Sequence, residues 1–540
     1  MAIYLGFDLS TQSLTAIAID VERSRRRVLF ERSLVFDDEL PHYGTRHGVL
    51  PQDDPLVATS CPSMWAEALD RMMAVIAREG GFDLRSVRAI SGSAQQHGSV
   101  YIKGTAPAAF TTLDPARPLV GQVSGMLSRP DAPIWMDAST AAECAAITRA
   151  VGGAEALARL TGSRAFERFT GSQIKKFAER DPTGYARTDR IHLVSSFAAS
   201  LLAGRHAPIE PGDGSGMNLM DIAHRRWAPA ALAATAPDLL RRLPALAFSW
   251  TVVGPLARYW TERYGFPAAR VVAWSGDNPC SLIGTGIVRE GRIAISLGTS
   301  DTLFGLLHEP RVDPSGTGHL FGAPTGDYMS LVCCRNGSLA RERVRDAHGM
   351  DWVGFSRCFE TTGPGNGGAI MLPWFEPEIT PTVLQAGVRR YGLDPADGPA
   401  NVRAVVEAQM LALILHSRWM GVDVDTIHAT GGAARNRAIL QVMADVHDAD
   451  VYQLEVGNSA CLGAALRAYH ADRVADGLPT DWDDVVAGFA EPVAATRIRP
   501  VPAHVAVYAR LARVYEACEA HALGRGGDPV EVIAAFRARA

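Results

Sequence analysis

One pattern of strand, short hydroxyl-bearing loop and strand occurs twice in this chain, and few folds accommodate such a duplication. Ile3-Tyr4-Leu5-Gly6-Phe7-Asp8 is an apolar run ending in a carboxylate, and Leu14 to Asp20 is a second run. Between them lies Asp8-Leu9-Ser10-Thr11-Gln12-Ser13, and Arg27 to Leu34 is placed to add a third strand. Two strands joined by so short and polar a loop read as a hairpin. Near the middle of the chain the pattern recurs, with Arg292 to Leu297 and Asp301 to Leu307 flanking Gly298-Thr299-Ser300. Internal self-similarity at this scale implies two related α/β units. Each loop can aim backbone N–H groups at one anion, and two of them across a cleft suit a triphosphate. Asp8 beside the first loop can hold a hydrated divalent cation.

Length agrees with duplication, because 540 residues exceed what one core organises. The sequence predicts an N-terminal unit over residues 1–287 and a C-terminal unit over 288–540. The 53 basic against 58 acidic residues leave a net charge of -5, so there is no basic field for nucleic acid. The eight cysteines show no paired metal-ligand spacing and read as reduced thiols. No apolar run approaches the ~20 residues that span a bilayer, and no basic segment leads an apolar stretch at the N-terminus. A cytoplasmic protein without membrane partners is expected; monomer and homodimer both remain open.

Where the two units meet stands Trp274-Ser275-Gly276-Asp277-Asn278-Pro279. An apolar run from Arg270 to Ala273 leads in, Gly276 relaxes the backbone, and Pro279 suits the first turn of a helix expected over Cys280 to Ile287. Asp277 thus projects from a strand end, where α/β folds commonly present a reactive group. It reads as a catalytic base, or as a plain helix cap. Other elements supply partners. A helix from Met64 to Ala77 precedes a strand from Val87 to Ser93, which ends in Gln95-Gln96-His97-Gly98. Residues 104 to 134 read as a loop-rich insertion, Ile191 to Leu202 as a buried helix, and Asp213 as an acid on a turn. Arg168, beside Glu167, is either a surface ion-pair member or a donor to a ligand oxygen. Ile427-His428-Ala429-Thr430-Gly431-Gly432-Ala433-Ala434-Arg435-Asn436 is a strand feeding a Gly-Gly turn and a helix start, which favours a nucleotide's negative charge. Neither a P-loop nor a Rossmann pattern is present.

Two phosphate-loop hairpins and a Gly-Gly turn resemble the sugar kinase, heat-shock ATPase and actin superfamily. The fold this implies is two ribonuclease H-like α/β domains with an interdomain cleft. Gly276-Asp277-Asn278-Pro279 and Gln95-Gln96-His97-Gly98 resemble the FGGY carbohydrate kinases within it. Trp135-Met136-Asp137, Glu167-Arg168-Phe169-Thr170-Gly171, Asp213-Gly214-Ser215-Gly216-Met217-Asn218 and Arg335-Asn336-Gly337-Ser338-Leu339, in that order, are similar to the xylulokinase branch in its long, eukaryote-type form. The resemblance implies ATP-dependent phosphorylation of a small sugar, D-xylulose, with Mg²⁺. It implies that His97, Arg168, Asp277 and Asn278 bind the ketose and that Asp277 is the base. Trp352, Gly432, Ala433 and Asn436, with Gly431, then contact ATP, while Asp8, Ser10, Thr11, Gln12, Gly298, Thr299 and Ser300 form the phosphate and metal loops. Ala138 and Cys280 depart from the pattern, where serine and alanine are usual. Two alternatives stand beside this reading: a kinase for ribulose, glycerol, gluconate or another polyol, and a switch ATPase of the actin or heat-shock type.

Overall fold

Each copy of the repeated hairpin grows into a sheet of the same strand order in the computed structural model, which describes residues 2–22, 26–104, 110–454 and 457–538. In the first sheet β1 (Ile3–Leu9), β2 (Ser13–Asp20) and β3 (Arg27–Val35) form an antiparallel meander. On the other side of β1, β4 (Val87–Ala94) runs parallel to it, with β5 (Val252–Pro255) at the far edge and β6 (Arg270–Val272) between them. The second sheet repeats the plan with β7 (Arg292–Leu297), β8 (Asp301–Leu307), β9 (His319–Gly322), β10 (Tyr328–Cys334), β11 (Thr426–Thr430) and β12 (Asp450–Gln453). The orders β3-β2-β1-β4-β6 and β10-β8-β7-β11-β12 correspond strand for strand, antiparallel first and parallel after. β1 and β4 are buried almost throughout, because parallel strands at the centre are covered on both faces.

Nine helices matter to the site. They are α1 (Pro62–Glu79), α2 (Val194–Ala203), α3 (Asp277–Gly284), α4 (Ser338–Ala347), α5 (Trp352–Thr361), α6 (Gly398–Ser417), α7 (Arg437–His447), α8 (Ser459–Ala475) and α9 (Pro502–Ala522). α1 buries Trp65, Leu69, Met72, Met73 and Ile76 against one face of the first sheet, at the helical spacing that the sequence predicts. The opposite face is covered by α8, from the second half of the chain. Its Cys461, Leu462, Ala465 and Leu466 pack on Tyr4, Ile17, Ile19 and Val272. Contact is backbone to backbone: a Cβ on Gly6 would overlap the Cys461 carbonyl, and one on Gly463 the Cys280 carbonyl of α3.

Three local expectations change. Thr188–Leu193 is a strand paired with Ser99–Lys103, and only from Val194 does the chain turn helical. A short buried strand running into a buried helix carries the same apolar run as a longer helix. The helix after the Gly-Asp-Asn-Pro stretch starts at Asp277 itself, three residues earlier than expected. Within residues 104–134 the helix Leu119–Val123 and the strand Ala132–Pro133 are formed, and residues 105–109 lie outside the described ones. All eight cysteines are free thiols, six of them buried. Among the described residues no helix is long and apolar enough to cross a membrane.

Candidate active site

The carboxyl end of β4 is where the first-half residues converge. Ser275 and Gly276 pair in parallel with Ser93 and Ala94, which sets Asp277 beside Gln95, Gln96 and His97. A Cβ at position 276 would overlap the Gln96 side chain, so glycine is required by close approach. Asp277 is the first residue of α3 and Gly276 its N-cap, with no side-chain capping bond. Gly276 and not Asp277 is thus the N-cap residue, and the Asp277 side chain meets the helix start only through its neighbour's N–H. One Asp277 oxygen instead accepts the Asn278 N–H at 2.9 Å and the Asn278 amide at 3.1 Å, and that amide also donates to Gln96 Oε1 at 2.8 Å. Asn278 therefore aims the carboxylate. Burial, then the charge of Asp8, pushes the Asp277 pKa up to about 7.

Asp8 lies in register with Ser93, whose hydroxyl donates to it at 2.7 Å, and burial raises its pKa as well. Neither carboxylate has an ion-pair partner among the described residues. Further acids stand behind them. Asp213, 1% exposed, accepts the Ser195 hydroxyl through one oxygen, while the other has no partner among the described residues. Burial first, and then Asp277 and Glu210, hold its pKa well above the ordinary value. Glu210 accepts from Ser275 Oγ and from the Gly212 N–H. The turn expected around Asp213 is a short helix, Pro211–Gly214, followed by a single 3-10 turn.

His97 adopts φ 71°, and its Nδ1 donates to the Gly216 carbonyl at 2.8 Å. That bond fixes the tautomer and leaves Nε2 as an acceptor. Burial, then the nearby Arg168, lowers the His97 pKa to about 3, so the ring is neutral at ordinary pH. The ring lies 4.4 Å from that of Phe169. The Arg168 guanidinium stands over Phe166 at 4.7 Å and Phe169 at 5.4 Å. It has no ion pair with Glu167, and among the described residues no carboxylate lies within bonding distance of it. A cation without a carboxylate partner, over two aromatic rings and near a neutral imidazole, is suited to a polyhydroxylated ligand.

The second half supplies a cavity of about 1190 Å³. Gly298, Thr299, Trp352, Gly432, Ala433 and Asn436 line it, whereas Ser10, Thr11, Gln12, Ser300 and Gly431 do not. Gly431 works from behind, with φ +86° and no room for a Cβ beside the Leu297 carbonyl. Asn436 caps α7, accepting the N–H groups of Ala438 at 3.0 Å and Ile439 at 3.3 Å, while its amide donates to Ser356. In the first loop Ser10 Oγ donates to the Ser13 carbonyl at 3.0 Å, Thr11 Oγ1 accepts from Trp135 Nε1 at 2.8 Å, and Gln12 is exposed. The Gly298-Thr299-Ser300 loop rests on the start of α4, through Ser338 N–H to the Gly298 carbonyl at 2.8 Å and Gly337 N–H to that of Thr299 at 3.2 Å. A buried pair holds it from below: Arg341 reaches Asp301 at 2.7 and 3.0 Å and Gln409 at 2.7 Å. Sequence reading misses Asp301, Arg341 and Gln409, since partners 40 and 68 residues apart share no spacing signal. It also misses His319 on β9, which no motif singles out. Ala138 is exposed and Cys280 is buried against the Gly92 carbonyl, so neither brings a new group to these residues.

Two sheets of one plan, with a carboxylate and hydroxyl cluster on one and a Gly-Gly turn cavity on the other, are the frame of a sugar kinase. The chain belongs to the FGGY family of carbohydrate kinases: the family's N-terminal domain matches residues 130–284 and its C-terminal domain residues 293–471. It is 43% identical over 540 residues to the "Xylulose kinase" of Rattus norvegicus, covering 98% of both chains. Among solved structures it resembles a xylulose kinase from Rhodospirillum rubrum, with TM-score 0.80, 19% identity and coverage of 96% of this chain and 99% of that one. It also resembles a gluconate kinase from Lactobacillus acidophilus, with TM-score 0.79, 18% identity and coverage of 97% and 98%. The fold is thus that of the sugar kinases, and it does not by itself select the sugar.

Proposed function

We propose that this carbohydrate kinase transfers the γ-phosphoryl group of ATP to the terminal hydroxyl of D-xylulose, giving D-xylulose 5-phosphate, with Asp277 as the base. The observation that carries the chemistry is the Asn278-aimed carboxylate with a pKa of about 7, set against Gln96 at the end of β4, where the next residue is the neutral His97 that Arg168 approaches. Identity with xylulose kinases over nearly the whole chain supports the choice of acceptor.

A sugar hydroxyl is far less acidic than a carboxylic acid, so Asp277 does not ionise it in advance. In a loose transition state the proton moves late, and the carboxylate chiefly orients the hydroxyl and takes its proton as the new bond forms. His97 Nε2 accepts from a sugar hydroxyl and Arg168 donates to sugar oxygens. Backbone N–H groups of Thr11 and Gln12 and of Thr299 and Ser300 stabilise the phosphates, while those of Ser10 and Gly298 close their own loops on Ser13 and Ser300. A divalent cation fits beside Asp8, since Asp8 and Asp277 are buried carboxylates without cationic partners among the described residues and the charge of Asp8 raises the Asp277 pKa. Bound there, Mg²⁺ would neutralise charge on the nucleotide phosphates. We assign residues 1–287 to sugar binding and residues 288–540 to nucleotide binding.

The test is ADP release with D-xylulose, D-ribulose, glycerol and gluconate as separate acceptors and a control without acceptor. D-Xylulose should give the highest kcat/KM, and the control should be slower by orders of magnitude. Preference for another acceptor would replace the sugar and keep the mechanism. Turnover that ignores acceptors would point to a switch ATPase and end the kinase mechanism.

A further inference from the structure

On the reading of Arg168 as a sugar donor, we infer that His319 is a positioning residue of the sugar site, reaching from the nucleotide half to hold the Arg168 guanidinium in place. His319 Nε2 lies 3.2 Å from Arg168 Nη2, and His319 Nδ1 lies 3.0 Å from Ser163 Oγ. Arginine can only donate, so Nε2 carries the lone pair, Nδ1 carries the hydrogen, and Ser163 accepts it. The imidazole is therefore a fixed relay with one donor face and one acceptor face. Its plane is set by aromatic neighbours: it stacks on Phe321 at 5.4 Å and meets Phe166 edge-on at 5.0 Å. His319 and Ser163 are both buried.

The strand that carries His319 cannot drift from the first half. Leu320 N–H donates to the Gly162 carbonyl at 2.9 Å, and Gly322 N–H donates to Ser215 Oγ at 3.1 Å. A side chain at position 162 would collide with the Leu320 carbonyl, and Gly162 also has φ +87°. This seam brings β9 of the second sheet against segments 162–163 and 212–215 of the first half. Arg168 has no carboxylate to hold it among the described residues, and the aromatic faces of Phe166 and Phe169 leave it free to slide. The neutral imidazole fixes its position without neutralising it, which a carboxylate there would do. The sugar site is therefore incomplete without a residue from the nucleotide half.

The test uses the full chain with Mg²⁺, varying D-xylulose at saturating ATP and then ATP at saturating D-xylulose. His319→Ala should raise the sugar KM by about tenfold or more, the range for a lost hydrogen bond to a charged group, with the ATP KM unchanged within about twofold. His319→Gln restores an acceptor and should recover part of the loss. Ser163→Ala repeats the test without opening a cavity, and again only the sugar KM should rise. The double variant His319→Ala, Arg168→Ala should bind sugar no worse than Arg168→Ala within about twofold, since both act through one contact. A parallel rise in the ATP KM, or penalties that multiply in the double variant, would overturn the inference. Unchanged sugar KM in His319→Ala beside a raised one in Arg168→Ala would overturn it alone. Unchanged KM in both would remove the reading of Arg168 as well.

Discussion

Asp277 is useful as a base because its surroundings work against its charge. Burial and Asp8 lift its pKa to about 7, against about 3.9 in an unfolded chain. Between roughly pH 4 and 7 the folded protein keeps a proton that the unfolded chain has released, so Asp277 lowers stability progressively as pH rises through that window, and the deficit stays constant above it. Asp277→Asn should therefore unfold at a higher temperature than the wild type at pH 8. The gap should close as pH falls toward 4, as thermal scans across pH would show; an equal gap at every pH would refute it. The same substitution should lower kcat on the order of 10²- to 10⁴-fold, while the calorimetric sugar affinity changes little. The wild-type kcat/KM for sugar should lose its plateau on the acid side at or below pH 7, because a cation beside Asp8 removes the second cause of the raised pKa and leaves burial. Wild-type kcat/KM without that acid limb, or near-normal turnover in Asp277→Asn, would exclude it as the base.

At the scale of single elements, the second phosphate loop is held by a buried charge pair and not by its own sequence. Asp301 opens β8 directly after the loop, and Arg341 on α4 meets it with both side chains 1% exposed. Gln409 of α6 ties the pair to the Asn336 and Gly337 carbonyls at 2.7 and 2.9 Å. Arg341→Met leaves a buried carboxylate without its partner and should cost about 3–5 kcal/mol in denaturant unfolding. Asp301→Leu with Arg341→Leu should recover most of that, since an apolar pair often replaces a buried ion pair without loss. If the double variant proves as unstable as the single one, the pair is not the source of the loop's support. This device also marks the limit of legibility. Hairpins, the helix over Pro62–Glu79 and the strand into Asp277 could be read because periodicity is a local property. That His97 and Asp277 follow strand ends and that Asn436 opens a helix could be read because turn chemistry is local too, whereas the roles proposed for them rest on the family resemblance. The Thr188–Leu193 strand could not, as its partner Ser99–Lys103 lies some ninety residues away. Neither could Asp301 with Arg341, nor Arg168 with His319, where the partners are joined only by the tertiary fold.

For the whole molecule, the question is whether two units of one plan behave as two independent domains. Length and duplication suggest that they do. Helix α8 argues otherwise. It comes from the second half, yet it forms one wall of the first sheet's core and meets α3, the helix that starts with Asp277, backbone to backbone. Arg467 within it is 1% exposed and donates to the carbonyls of Ala273 at 2.7 Å and Gly92 at 3.2 Å, at the strand ends that position Asp277. Asp472 near the end of α8 and Asp476 just after it meet Arg88 on β4 and Arg270 on β6, at 3.0 Å for Arg88 to Asp472 and 2.7 Å for Arg270 to Asp476. Unfolding the second half thus strips the first sheet of its cover, and the two cannot part company. Calorimetry of the whole chain should give one transition, and amide exchange in β4 and β11 should collapse at the same temperature. Arg467→Leu takes the guanidinium donors from the Ala273 and Gly92 carbonyls, leaving only the Ser91 hydroxyl at 3.2 Å and the weak Cys280 thiol, at about 1–3 kcal/mol each. It should lower that common midpoint by roughly 3 °C, given about 2.1 cal/mol/K of unfolding entropy per residue, and should move both strands together. Two resolved transitions in the wild type, or a shift confined to β4 in the variant, would mean that the halves are coupled only through their ligands. In that case the seam at His319 and Gly162 would have to carry any communication between the sugar and nucleotide sites alone.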